Sequence, residues 1–257
     1  MINKTGLENI YKKFNRRKYV HPDPLEFLYR YPDIQDREIV GLISSSLAYG
    51  RVAQILKSIE TVLDKIGSSP FKFLMKSNNR SLSRTFSGFK HRFTTDEGLV
   101  SLMTGIKKII SRHGSLNMCF VAGLNRNDKT IIEALAKFVA ELNCSDRHLI
   151  PFPENRGACK RLNLFLRWMV RKDEVDPGGW KTVPKRNLIV PLDTHMARIG
   201  LMLGATMRKT ADMKMALEIT ETFKKLAPRD PVKYDFALTR FGIRNDLQIT
   251  SLSNLQS

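Results

Sequence analysis

Two stretches of the chain carry residue types that do chemistry. Residues 157–171 read G-A-C-K-R-L-N-L-F-L-R-W-M-V-R, and residues 191–195 read P-L-D-T-H. At about 100° per residue, the first stretch puts Leu162, Phe165, Leu166, Met169 and Val170 on one helical face and Lys160, Arg167 and Arg171 on the other. The spacing predicts one core face and one cationic face. Lys160 falls in the first turn, where the partial positive charge of the helix end opposes a cation, so helix stability does not explain it. Asp193 stands just before T-H-M-A-R-I-G-L-M-L, where a carboxylate caps the next helix. The pair is an amine, nucleophilic when neutral, and a carboxylate, both presented at helix starts. Singly, each has a plainer reading, a surface cation and a helix cap. Together, in a basic chain, they mark a candidate site.

The elements that position this pair are helical. Asp36 reads as a cap for a helix over 38–49, with Gly50 as its stop, and Arg51 opens a second helix through Val52, Ile55, Ile59, Val62 and Ile66. The short connection at 49–51 makes the two antiparallel. Residues 68–93 are broken and basic. Thr94 with Glu97 has capping-box spacing ahead of a helix to about residue 112, which Gly114 ends. A short helix over 115–122 follows, then one capped by Asn127 or Asp128. After the loop D-E-V-D-P-G-G-W come the helix begun by Asp193, one capped by Thr210, and a last one capped at Asp230 before Pro231. No sustained strand alternation and no solenoid repeat occurs, which makes the fold class all-α. The tail after Asp246 is polar and expected to fray.

The 257 residues suffice for one domain of two packed lobes, expected as 35–189 and as 1–34 with 190–257. With 43 Lys and Arg against 25 Asp and Glu, the net charge of +18 makes a polyanion the expected partner, nucleic acid first. Cys119, Cys144 and Cys159 are too few and too scattered for a zinc or iron–sulfur site, and the five histidines lack metal-ligand spacing, so no metal and no cofactor is expected. There is no phosphate-loop motif, no run of about 18 apolar residues and no signal-type N-terminal core, so the protein is expected in the cytoplasm, at the nucleoid, without a membrane partner.

The two stretches resemble the helix-hairpin-helix DNA glycosylase superfamily, whose lyase-competent members carry a hairpin ending G-x-G-x-K-T-A-N and, later, V-D-T-H. Here G-A-C-K-R-L-N and L-D-T-H place Lys160, Asn163, Asp193, Thr194 and His195 in register. The likeness is strongest over residues 146–203. The hairpin has one glycine, Gly157, where the superfamily usually has two. The separation of Lys160 and Asp193 is closer to the archaeal 8-oxoguanine glycosylases than to the endonuclease III branch. More closely still, the chain resembles an uncharacterised bacterial family of about this length, DUF2400.

The resemblance implies a two-lobed glycosylase-like fold with a degenerate hairpin, and a monomer that binds double-stranded DNA containing a damaged base. It implies a DNA glycosylase with associated AP lyase activity, Lys160 attacking the sugar to form a Schiff base and Asp193 stabilising the charge that develops there. Gly157, Arg161, Arg167 and Arg171 are then expected to hold phosphates, with Arg51 or Tyr49 filling the gap left by an extruded base. Trp180, and after it Trp168, is the candidate to stack on that base, while Asn163 and His195 support the site. The rival readings are a non-catalytic DNA-binding module on the same scaffold and a basic helical RNA-binding protein.

Overall fold

The computed structural model describes residues 2–153, 157–244 and 246–255. Helix α1 (Lys4–Phe14) is followed by 3-10 turns at Arg17–Tyr19 and Pro24–Arg30. Then come α2 (Ile34–Ser46), α3 (Val52–Ile66), α4 (Pro70–Lys76) and α5 (Asn79–Phe86). A hairpin of β1 (Lys90–His91) and β2 (Thr94–Thr95) leads into α6 (Asp96–His113). The rest is α7 (Leu116–Ala122), α8 (Ile132–Leu142), α9 (Lys160–Val170), α10 (Thr194–Met202), α11 (Met213–Leu226) and α12 (Asp235–Ile243), closed by a 3-10 segment, Ile249–Leu255. The fold is all-α. Among the described residues no helix is long and apolar enough to cross a membrane.

The central helix is α2, buried along almost its whole length and packed against both Pro24–Arg30 and α9. Gly41 permits that closeness: a Cβ there would stand 3.3 Å from the Met169 sulfur and 3.4 Å from the Phe165 ring. Phe120, Phe138, Phe165 and Trp180 form a ring cluster beside α2 with centroids 5.1–6.3 Å apart. Glu38 is buried within this layer. Its Oε1 accepts from the Leu116 amide at 2.8 Å, and its Oε2 from the Asn117 amide and from Trp180 Nε1 at 3.0 Å. Burial pushes its carboxyl up to about 7, although these three donors act in the opposite direction.

Several expected helix starts are displaced, some of them because the expected cap is held by another element. Asp33, not Asp36, caps α2, accepting from the Gln35 and Asp36 amides. Asp36 is turned to the Phe71 amide at 2.7 Å and ties α4 to α2. Thr94 lies in β2 and accepts from the Tyr49 hydroxyl instead of capping α6. Asp212, not Thr210, caps α11. Neither Asn127 nor Asp128 caps α8; Asp128 accepts from the Asn125 amide. Asp230 starts no helix because its carboxylate is taken by Arg171. Within the described part of the tail, Ile249–Leu255 is packed down: Leu252 and Leu255 are buried, and Asn3 donates its amide to the Leu255 carbonyl at 2.7 Å.

Candidate active site

Helix α9 begins at Cys159, which holds the left-handed conformation with φ 46°. The special backbone of this turn therefore sits at Cys159. Gly157 pairs its backbone with Asp212. Asn163 is buried and donates from Nδ2 to the Ala158 carbonyl at 3.0 Å, bracing the turn that presents Lys160. Asp193 caps α10, its Oδ1 accepting from the Met196 amide at 2.8 Å. That bond fixes the carboxylate and leaves Oδ2 facing Lys160, with Nζ at 3.5 Å. Two helix starts far apart in sequence thus bring the amine and the carboxylate together.

The pair stands in a cleft of about 290 Å³. Leu164, Arg167, Trp168 and Pro191 line it beside Lys160 and Asp193; the turn of Pro22–Pro24, then Ala48, Gly50, Val52 and Ile55 at the α2–α3 corner, and Asp235, Thr239, Arg240 and Ile243 of α12 complete it. His195 lines it too, packed against Gly242, where any side chain would clash with the imidazole. A larger, more open concavity of about 610 Å³ lies along α5 and α6, but it includes neither Lys160 nor Asp193.

The other expected residues divide. Arg51 is exposed at the start of α3. Arg161 donates to the Ser46 carbonyl at 2.7 Å and stacks on the Tyr49 ring at 4.8 Å, fastening α9 to the α2–α3 corner. Tyr49 is engaged in turn, its hydroxyl 2.9 Å from both the His91 carbonyl and Thr94 Oγ1, so it is a brace and is not free to fill a gap in DNA.

Three expectations are overturned by burial. Arg167 is 3% exposed and paired with Asp176 at 3.2 Å and with Asp235; Arg171 is 2% exposed and paired with Asp173 at 2.8 Å, Asp230 at 3.0 Å, and Asp176. Neither guanidinium is available to phosphate. The face that looks cationic in the sequence packs on a buried acidic cluster supplied by the 173–176 loop, Asp230 and α12. Trp180 belongs to the ring cluster and donates to Glu38, so it is a core residue and stacks on no base. Trp168 is fully buried as well, although it lines the cleft. Cys119, Cys144 and Cys159 are buried free thiols, and burial pushes those of Cys119 and Cys159 up to about 11.

Sequence reasoning missed the hairpin tip. Phe93 is 64% exposed between β1 and β2, following Arg92 with φ 53°. His91 anchors the hairpin through Ser58 Oγ at 2.8 Å and the Tyr49 carbonyl at 3.1 Å. The Arg92 side chain lies over Gly50 at the edge of the cleft. The signal was the R-F pair between K-H and T-T, too short to register as strand alternation. Asp235 and Arg240 were also missed, since helical spacing alone does not say which polar residues of α12 face inward.

The described residues define an all-α protein with an amine–carboxylate pair in a cleft among packed helices. The chain belongs to the family described as Protein of unknown function (DUF2400), whose model matches residues 23–244. No curated protein and no solved structure matches it.

Proposed function

We propose that this protein is a DNA glycosylase with AP lyase activity, working through a Schiff base at Lys160. The observation that carries the reading is Lys160 Nζ held 3.5 Å from Asp193 Oδ2 in a cleft of about 290 Å³. That volume stands at the small end of ligand pockets, about 300–1,000 Å³, and has room for a single extruded base. The neutral amine attacks the sugar C1′; the N-glycosidic bond breaks and the base leaves with its electron pair, taking up a proton. Opening of the sugar ring and loss of a proton from nitrogen give the imine. Removal of a C2′ proton then expels the 3′ phosphate and cuts the strand. Asp193 stabilises the positive charge that develops at the sugar, and its fixed Oδ1 keeps Oδ2 aimed at the reacting centre. The resemblance to archaeal 8-oxoguanine glycosylases makes 8-oxoguanine the first lesion to test and oxidised pyrimidines the second.

The test is borohydride trapping on duplexes that each carry one lesion. Reduction of the imine to a secondary amine gives a covalent protein–DNA adduct at Lys160. Lys160→Gln removes the amine and keeps a polar side chain of similar helix preference, so it abolishes trapping and strand cleavage while DNA affinity is largely retained. Asp193→Asn still caps α10, so its rate falls by about 100-fold or more with little change in melting temperature. Cleavage and trapping by Lys160→Gln would remove both the site and the mechanism. Binding without turnover by the wild-type protein would favour the non-catalytic DNA-binding module.

A further inference from the structure

Three residues lining the cleft each keep one polar atom buried with no hydrogen-bond partner among the described residues: Trp168 Nε1, Asp235 Oδ1 and Arg240 Nε. An unpaired buried polar atom costs about 1–3 kcal/mol, and native proteins keep few of them, so three around one cleft need an explanation. Relaxation of the side chains does not supply it, because the rest of each group is tied down. The other Asp235 oxygen is held by Arg167. Arg240 donates to the Tyr19 carbonyl at 3.3 Å and to Asp23 Oδ2 at 3.1 Å. Trp168 sits in the middle of α9 with its side chain in the core. The arrangement is two N–H donors and one carboxylate oxygen, each on a residue that lines the cleft.

We propose that Trp168, Asp235 and Arg240 read the extruded base, and that they select a neutral nucleobase offering one N–H and two acceptor atoms. This rests on the glycosylase reading and names its substrate class. Indole and guanidinium nitrogens only donate, so each requires an acceptor on the ligand, and an ionised carboxylate oxygen requires a donor. Bases with a ring N–H between two carbonyls meet all three demands: uracil and thymine derivatives at N3, and 8-oxoguanine at N7. N-alkylated bases that have lost that hydrogen leave the Asp235 oxygen unpaired. A site built around hydrogen bonds rejects such an analogue more strongly than a merely apolar pocket does.

The experiment changes the ligand first, so that folding of the protein is not in question. Lys160→Gln protein is titrated with duplexes containing one uracil, one N3-methyluracil, one 8-oxoguanine or one 7-methyl-8-oxoguanine, with undamaged duplex as the baseline. At least one N–H base is expected to bind about tenfold or more tightly than its N-methyl partner. On the protein side, Trp168→Phe removes one donor and keeps an aromatic ring. It should erase about tenfold of the affinity for the preferred base without altering affinity for undamaged duplex, its melting curve serving as the check on folding. Equal binding of N–H and N-methyl partners, or no preference for any modified base, overturns the proposal. Trapping by the wild-type protein is scored separately: trapping without base discrimination sinks the pocket assignment alone, whereas discrimination without trapping sinks the lyase and leaves the pocket.

Discussion

Helical spacing groups Lys160 with Arg167 and Arg171; Arg167 also lines the cleft but is bound to buried acids, and Arg171 lies outside the lining. The arginines are consumed by Asp173, Asp176, Asp230 and Asp235, which come from a loop, a turn and α12. Burial raises the Asp176 carboxyl, while the same acids raise both arginines against their own desolvation, so the cluster keeps its cations charged. Glu38 is the contrasting case, a buried carboxyl with no cation among its hydrogen-bond partners. Its folded value, about 7, lies above the ordinary 4.5, so between those values the folded state binds more protons than the unfolded one. Its contribution to stability is therefore full below about 4.5 and is lost as pH rises through 7. At about 1.4 kcal/mol per unit, wild-type stability attributable to this group should fall by about 2–3 kcal/mol from pH 5 to 8. Urea unfolding of wild type and Glu38→Gln at both values checks it: the variant should lose that slope, and parallel pH profiles would show that Glu38 does not titrate there.

At the scale of elements, the sequence made the cores of the helices legible and left their starts obscure. The apolar periodicity of α3, α6 and α9 is intrinsic to the chain, whereas a cap is settled by which of several Asp, Ser or Thr side chains a neighbouring element needs. Asp36, Thr94 and Asp230 each satisfy a local rule, and each is diverted to a partner: the Phe71 amide, the Tyr49 hydroxyl and Arg171. Lys160 and Asp193 were legible because both conflict or agree with a helix end in a way that charge and spacing reveal. The β1–β2 hairpin lay below the length at which alternation is readable. On the proposed reading, Phe93 stands where a side chain can enter a base stack: exposed at the hairpin tip, with the His148 ring 5.0 Å away and Arg92 beside it. An apolar wedge of this kind partly unstacks a base step and kinks the duplex. Phe93→Ala should weaken binding to lesion duplex by about 1–3 kcal/mol, the worth of one aromatic–base stack, and Phe93→Trp should restore it. Fluorescence of 2-aminopurine beside the lesion reports the step directly; an unchanged signal in the alanine variant would mean that the hairpin does not enter the helix.

For the whole molecule, a net charge of +18 says that a polyanion is attracted but not where it lies. The fold removes Arg167, Arg171 and Arg240 from the surface, and Arg161 is largely committed to Ser46 and Tyr49. Around the cleft this leaves Arg51, Lys90 and Arg92 exposed, on the α2–α3 corner and the hairpin that Tyr49 and His91 hold together. On the proposed glycosylase reading, these are the cations expected to displace counterions from duplex DNA. Each phosphate contact contributes about one unit to the slope of log affinity against log salt, so Arg51→Ala and Arg92→Ala should each lower that slope by about one, equally for all sequences. Arg112 provides the control. It is exposed near the far end of α6, and at about 1.5 Å per residue that end lies on the order of 25 Å from the hairpin. Arg112→Ala removes the same charge from the total and should leave the slope unchanged. Fluorescence anisotropy between about 50 and 200 mM salt measures all three. If the control changes the slope as much as Arg51→Ala or Arg92→Ala does, binding follows net charge alone and the cleft mouth is not the DNA-facing surface.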